Sequence, residues 1–196
     1  VVLFCGGRGL RLRDYSGRGP KPMVHIGYRP ILWHVMKYYA HFGHTDFILC
    51  LGHDGEVIRK YFHDHEPYIS YDFAPCTNGH KPLEPLTPDS DDWTVTLVDT
   101  GKEACIGERL QAVQPHLEGE STFLANYADV ITDLHLPAMV DHFHRHDAPA
   151  SFLSVEPFHS FHTVESNANG TVQDIQPAAE TSLRINGGYF VLTPEI

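Results

Sequence analysis

The sequence has no apolar run approaching the ~20 residues that a membrane-spanning helix needs, and its short apolar opening is broken at Gly6 and Gly7, so it is not expected to be a signal peptide. Positive charge is scarce. Lys and Arg number 14 against 25 Asp and Glu, a formal net charge of −11, the wrong sign for a protein that grips nucleic acid. Cys5, Cys50, Cys76 and Cys105 are scattered with no CxxC pair, which argues against a zinc ribbon and a disulfide framework. No GxSxG nucleophile elbow occurs. The expected setting is therefore the cytoplasm, with no membrane or nucleic-acid partner.

What is present is a globular composition, 42% hydrophobic and 20% charged over 196 residues, the size of one domain with a single core. Short, continuously apolar runs recur at Val1–Cys5, Phe47–Leu51, Val95–Val98, Thr122–Tyr127, Ser151–Val155 and Gly188–Leu192, as strands covered on both faces do. Between them lie segments of helical period. From Pro30 to Phe42, Ile31, Val35, Tyr38, Tyr39 and Phe42 share one face, with Pro30 suited to a helix start and Gly43 to its stop. Asp54–Phe62, Glu108–Leu117 and Leu136–His146 read the same way. Alternating strands and helices predict a three-layer αβα domain, Rossmann-like, around a mixed but mostly parallel sheet. Residues 74–92, rich in Pro, Asp and Ser, read as one long surface loop. The chain opens without Met and ends just after an apolar run, so residues 1–196 are expected to be one domain shortened at its C-terminal end.

The first strand runs straight into Gly6-Gly7-Arg8-Gly9-Leu10-Arg11. Three glycines let the backbone turn tightly and present successive N–H groups to an anion. The loop is neither a Walker A loop, which closes on GK[ST], nor the GxGxxG dinucleotide fingerprint. Arg8, Arg11, Arg13, Arg18 and Lys21 put five of the 14 basic residues into one short stretch of an acidic chain. Here the local field is inverted, as a polyphosphate site requires.

The strings GGRGLRL and PKPMVHIGYRPILWHVMKYY, followed by DFILCLGHDGEVIRKYF, WTVTLVDTG, GERL, NYAD and INGGYFVL, resemble the sugar-1-phosphate nucleotidyltransferases, the glucose-1-phosphate cytidylyltransferases among them. The resemblance implies that a nucleoside triphosphate, CTP in the first instance, reacts with a sugar 1-phosphate to give an NDP-sugar and pyrophosphate. It also implies a Mg2+ cofactor and a homo-oligomeric assembly. Carried over position by position, it makes Arg11, Lys21 and Asp129 the catalytic set. Asp129 is the metal carboxylate, and Cys5, Gly6, Gly7, Arg8, Gly9, Leu10, Arg109 and Ala128 surround the nucleotide. Asn186 and Gly187 fall on the sugar side. Arg109 also suits an ion pair on an exposed helix face, and Asp129 a turn or helix cap.

The departures from the family pattern are as specific as the matches. Leu10 replaces a Thr, Glu108 a Gly, and Ala128 and Val130 the two glycines flanking the metal Asp. The Glu-Lys-Pro step whose Lys meets the sugar phosphate aligns with Pro177-Ala178-Ala179, and no Lys follows Lys102. Arg184 or a Lys restored at 178 could fill that role. A nucleotide-sugar binding homologue without turnover therefore stays open beside the enzyme. A glycosyltransferase is disfavoured, because Asp129 and Asp133 stand four apart rather than as Asp-x-Asp. Among the fifteen histidines, His142 and His146 share a helix face, and His159 and His162 fall near the family's sugar step.

Overall fold

The structure, a computed structural model, describes residues 1–7, 19–65, 69–71, 93–157 and 161–196. In chain order its strands are β1 (Val2–Phe4), β2 (His25–Ile26), β3 (Arg29–Pro30), β4 (Asp46–Leu51), β5 (Ile69–Tyr71), β6 (Thr94–Asp99), β7 (Phe123–Asn126), β8 (Ala150–Val155), β9 (His162–Ser166), β10 (Val172–Pro177) and β11 (Ile185–Leu192). The helices are α1 (Ile31–His41), α2 (Gly55–His65), α3 (Ile106–Val113) and α4 (Leu136–His144).

Seven strands form one sheet in the order β5-β6-β4-β1-β7-β11-β8. The five from β5 to β7 pair in parallel, while β11 runs antiparallel to both β7 and β8. The expected mixed, mostly parallel sheet is borne out. Two cores account for the layering. Leu3, Leu49 and Leu97 point to one face, where they meet Leu32, Met36 and Tyr39 of α1, Ile58 and Phe62 of α2, and Leu136 and Phe143 of α4. Val2, Phe4, Ile48 and Cys50 point to the other, against Val113 of α3 and Leu117. Alternation along a strand sends neighbouring side chains to opposite faces, so continuous apolar runs fit a sheet covered on both sides.

The central strand β1 is flanked by β4, which follows it in the chain, and by β7, which comes much later. This reversal of strand order opens a crevice at the carboxyl ends of the strands, where ligands of open α/β sheets bind.

Some boundaries differ from the sequence reading. Helix α3 starts at Ile106 instead of Glu108, because Glu108 reaches back to accept the Cys105 N–H at 2.6 Å, as the third residue of a capping box does. It stops at Val113, and Gln114–Leu117 continues as a 3₁₀ turn, since Pro115 has no N–H to continue the α-helical ladder. The β9–β10 ribbon and the short β2–β3 hairpin were not expected. The loop predicted at 74–92 lies outside the described residues.

Candidate functional site

Beyond β1, Cys5, Gly6 and Gly7 form one wall of an open cleft of about 710 Å3. Lys21 comes to it from a single 3₁₀ turn, Lys21–Met23, and Cys105 and Ile106 from the start of α3. Tyr127 and Asp129 enter just after β7, and Asn186 from β11. Of the residues singled out in the sequence, Cys5, Gly6, Gly7, Lys21, Arg109, Asp129 and Asn186 are thus brought to one place. A separate hollow of about 570 Å3 lies at the other ends of the strands, around Val1, Asp46 and Phe123.

The Cys5 thiol is held well above its ordinary pKa, chiefly by burial and then by Cys50 and the Asp129 carboxylate. Burial therefore favours its neutral thiol form. Among the described residues no three His, Cys, Asp or Glu side chains gather as a metal cluster.

Arg109 is only 4% exposed, so it is not the exposed helix-face residue its sequence context allowed. Its Nη2 donates to Gly6 O at 3.1 Å, and its Nη1 donates to Leu51 O at 3.2 Å and to Thr100 Oγ1 at 2.5 Å. One guanidinium thereby ties the ends of β1, β4 and β6 to α3. The fit leaves no spare room. A Cβ on Gly6 would overlap the guanidinium, and one on Gly52 would lie 2.9 Å from Arg109 Nη1 and from the Gly6 backbone. The glycine at position 6 is therefore required by close approach.

The far wall is a network around Asp129. Ala128 is completely buried and has φ 61°, a left-handed conformation that costs a non-glycine residue about 1–2 kcal/mol. Its N–H donates to Asn126 Oδ1 at 2.7 Å. Asn126 is itself fully buried at the last position of β7. Sequence reasoning passed over Asn126; the available signal was one carboxamide ending the apolar run Phe123–Asn126. Gly188, at φ 80°, approaches so closely that a Cβ there would meet Tyr127 Cδ2 at 2.8 Å. Its carbonyl accepts Tyr127 N–H at 3.2 Å. Asn186 donates through Nδ2 to Tyr127 Oη at 3.0 Å and accepts Gly188 N–H through Oδ1 at 2.8 Å. Its carboxamide thus shapes the turn while facing the cleft. Tyr189 Oη donates to Val130 O at 2.9 Å, which fixes the chain on the other side of Asp129.

Other sequence-based candidates are placed differently. Arg8, Gly9, Leu10, Arg11, Arg13, Arg18 and His159 lie outside the described residues. Ala128 lies beneath the wall instead of lining it, and Gly187 packs against Leu153, 2.8 Å from where its Cβ would stand. His162 is exposed on β9, and His142 and His146 stack with ring centroids 4.2 Å apart. Arg184 pairs with Glu156 at 2.8 Å. Ala178 is fully buried, so a lysine at that position would have its charge desolvated instead of presented to a ligand.

Two glycines at the end of β1, with Lys21 and Asp129 lining the same cleft at the switch point, are what a nucleotide-handling α/β protein requires. The sequence matches the nucleotidyl transferase family over residues 1–196, and the chain belongs to that family. It is 38% identical over 203 residues to a glucose-1-phosphate cytidylyltransferase of Salmonella typhimurium, covering 100% of this chain and 76% of the relative. It is 32% identical over 198 residues to a probable glucose-1-phosphate cytidylyltransferase of Bacillus subtilis, covering 100% and 75%. The resemblance to sugar-1-phosphate nucleotidyltransferases read from the motifs is borne out. Among solved structures, HddC from Yersinia pseudotuberculosis complexed with GMP-PN superimposes with a TM-score of 0.66 at 20% identity, over 99% of this chain and 76% of that one. A UTP-bound UGPase from Acinetobacter baumannii gives 0.63 at 18% identity, over 99% and 74%. Both share the fold. No described helix is long and apolar enough to cross a membrane.

Proposed function

We propose that this chain transfers a cytidylyl group from CTP to glucose 1-phosphate, working in the cytoplasm as a homo-oligomer. A phosphate oxygen of the sugar 1-phosphate attacks the α-phosphorus in line. The new P–O bond forms as the bond to the β-phosphate oxygen breaks, and pyrophosphate leaves with that electron pair. Such a step asks the protein mainly to position two polyanions and to neutralise charge at the leaving oxygens.

The observation that carries this reading is the meeting of Gly6 and Gly7, Lys21 and Asp129 in one cleft of a strongly acidic chain. Backbone N–H groups of the loop from Cys5 to Leu10 would hold the triphosphate, with Arg8 and Arg11 on its charge. Arg suits bidentate contact with phosphate oxygens, and Lys21 supplies a compact second charge. Arg109 acts on the nucleotide through Gly6, whose carbonyl it holds, and Ala128 through the turn that presents Asp129. Asn186 and Gly187 would shape the sugar side.

The donor set suits Mg2+. A hard carboxylate at the cleft fits a cation that keeps several waters and takes its other ligands from substrate phosphates. Asp129 would hold it, and the ion would lower the barrier by countering charge on the phosphates. The binding homologue without turnover rests on the family's missing lysine and on two observations: Arg184 is paired with Glu156, and Ala178 is buried. Calorimetry with Mg2+ tests the loop assignment. CTP should bind at least tenfold more tightly than CMP, and equal affinities would sink it.

A further inference from the structure

Asn126 is an expensive residue to bury. Its Nδ2 lies against the Tyr39 and Tyr189 hydroxyls, which interact with it, without a hydrogen bond of good geometry. A buried donor left wholly unsatisfied costs about 1–3 kcal/mol, and a poorly bonded one a part of that. Stability alone would favour an apolar residue here, as at Phe123, Leu124 and Ala125 before it. What Asn126 does provide is the single acceptor at 2.7 Å for the N–H of Ala128. Ala128 is the residue that most needs it, being fully buried and left-handed without the freedom of glycine. Asp129 follows immediately and lines the cleft, so the backbone direction set at Ala128 governs where its carboxylate points.

We infer that Asn126 is a positioning residue for the metal carboxylate: its carboxamide holds Ala128 in the left-handed turn that aims Asp129 into the cleft. This rests on the reading of Asp129 given under Proposed function. The pairing also accounts for an alanine where the family pattern has glycine. Glycine adopts this turn unaided, whereas alanine needs a bond that keeps it there. A buried carboxamide and a strained backbone occur together because each supports the same outcome.

The test is a rescue experiment on the whole chain. Mn2+ binding in the presence of CTP, without sugar phosphate, is followed by electron paramagnetic resonance. Hydrogen exchange of the Ala128 amide is followed by NMR. Asn126→Ala should weaken Mn2+ binding at least tenfold and lose the protection of the Ala128 amide. Adding Ala128→Gly to Asn126→Ala should bring Mn2+ binding back to within threefold of the unaltered chain, because glycine makes the turn without help. Unchanged Mn2+ binding in Asn126→Ala, or no recovery in the double variant, would overturn the inference. If Asn126→Ala alone does not fold, the double variant decides on the same threefold criterion. Asp129→Asn separates the two levels. Weak Mn2+ binding there with normal binding in Asn126→Ala refutes only the positioning role, whereas normal binding in Asp129→Asn refutes the metal assignment itself.

Discussion

Replacing Arg109 with methionine keeps most of the buried stem and removes the guanidinium. Three acceptors lose a donor, but they are not left equally exposed to the loss. Leu51 O still receives the Thr100 N–H at 3.0 Å and the Thr100 hydroxyl at 2.8 Å. The Thr100 hydroxyl keeps its donation to Leu51 O. Gly6 O retains only the His53 N–H at 3.4 Å. One buried carbonyl is therefore left with a single long hydrogen bond among the described residues, a loss within the about 1–3 kcal/mol of an unsatisfied group. Taking about 2 kcal/mol, and about 2–4 °C per kcal/mol for a domain of this size, Arg109→Met should lower Tm by about 4–8 °C. The loop that Gly6 begins loses its brace in the same stroke, so CTP affinity should fall about tenfold. Thermal unfolding by circular dichroism without ligand and calorimetric CTP titration read the two effects separately. If Arg109 met the nucleotide directly instead, the ligand-free protein would be little changed and only CTP binding would suffer. A Tm within 1 °C of the unaltered chain alongside weakened CTP binding would refute the bracing argument.

Two further outcomes follow from the walls of the cleft. Ala128→Gly relieves about 1–2 kcal/mol of left-handed strain but gives up a buried methyl worth about 0.8 kcal/mol and adds chain entropy, so denaturant unfolding should show a change under 1 kcal/mol. Ala128→Val puts a β-branched residue at φ 61° in a fully buried site and should cost about 2–4 kcal/mol by the same measurement; a neutral result would remove the strain from the account. Ala179, exposed beside buried Ala178, is the better position to restore a cation. Ala179→Lys should leave Tm unchanged, whereas Ala178→Lys should lower it by several degrees, and equal Tm values would contradict the burial at 178.

The fold was legible wherever burial is two-sided. Strands β1, β4, β6, β7, β8 and β11 announce themselves as apolar runs because both faces of the sheet are covered, and α1 does so by one apolar face between Pro30 and Gly43. The β9–β10 ribbon stayed hidden because it lies outside the large sheet. Its half-exposed Val164 and Ile175 stand directly opposite each other among polar neighbours, which leaves no apolar run to read. Three-residue β5 is an edge strand too short to show a pattern. At the site, the glycines and the run of cations ending at Lys21 stood out because phosphate chemistry restricts the residue types, whereas Asp129 was singled out only by the family resemblance. The role of Arg109 could not, since an arginine three residues into a helical pattern looks solvent-exposed until the backbone carbonyls of Gly6 and Leu51 are brought beneath it. Asn126 was harder still, because its value lies in one bond to a residue two positions on.

The measurement that bears most directly on nucleotidyl transfer is product formation from CTP, glucose 1-phosphate and Mg2+, with CDP-glucose and pyrophosphate quantified together. The proposed chemistry predicts the two products in equal amounts, no turnover when Mg2+ is chelated, and a loss of at least a hundredfold in kcat for Asp129→Asn and for Lys21→Ala in folded protein. Turnover in Asp129→Asn equal to that of the unaltered chain, or nucleotide binding with no product from any sugar 1-phosphate offered, would contradict it.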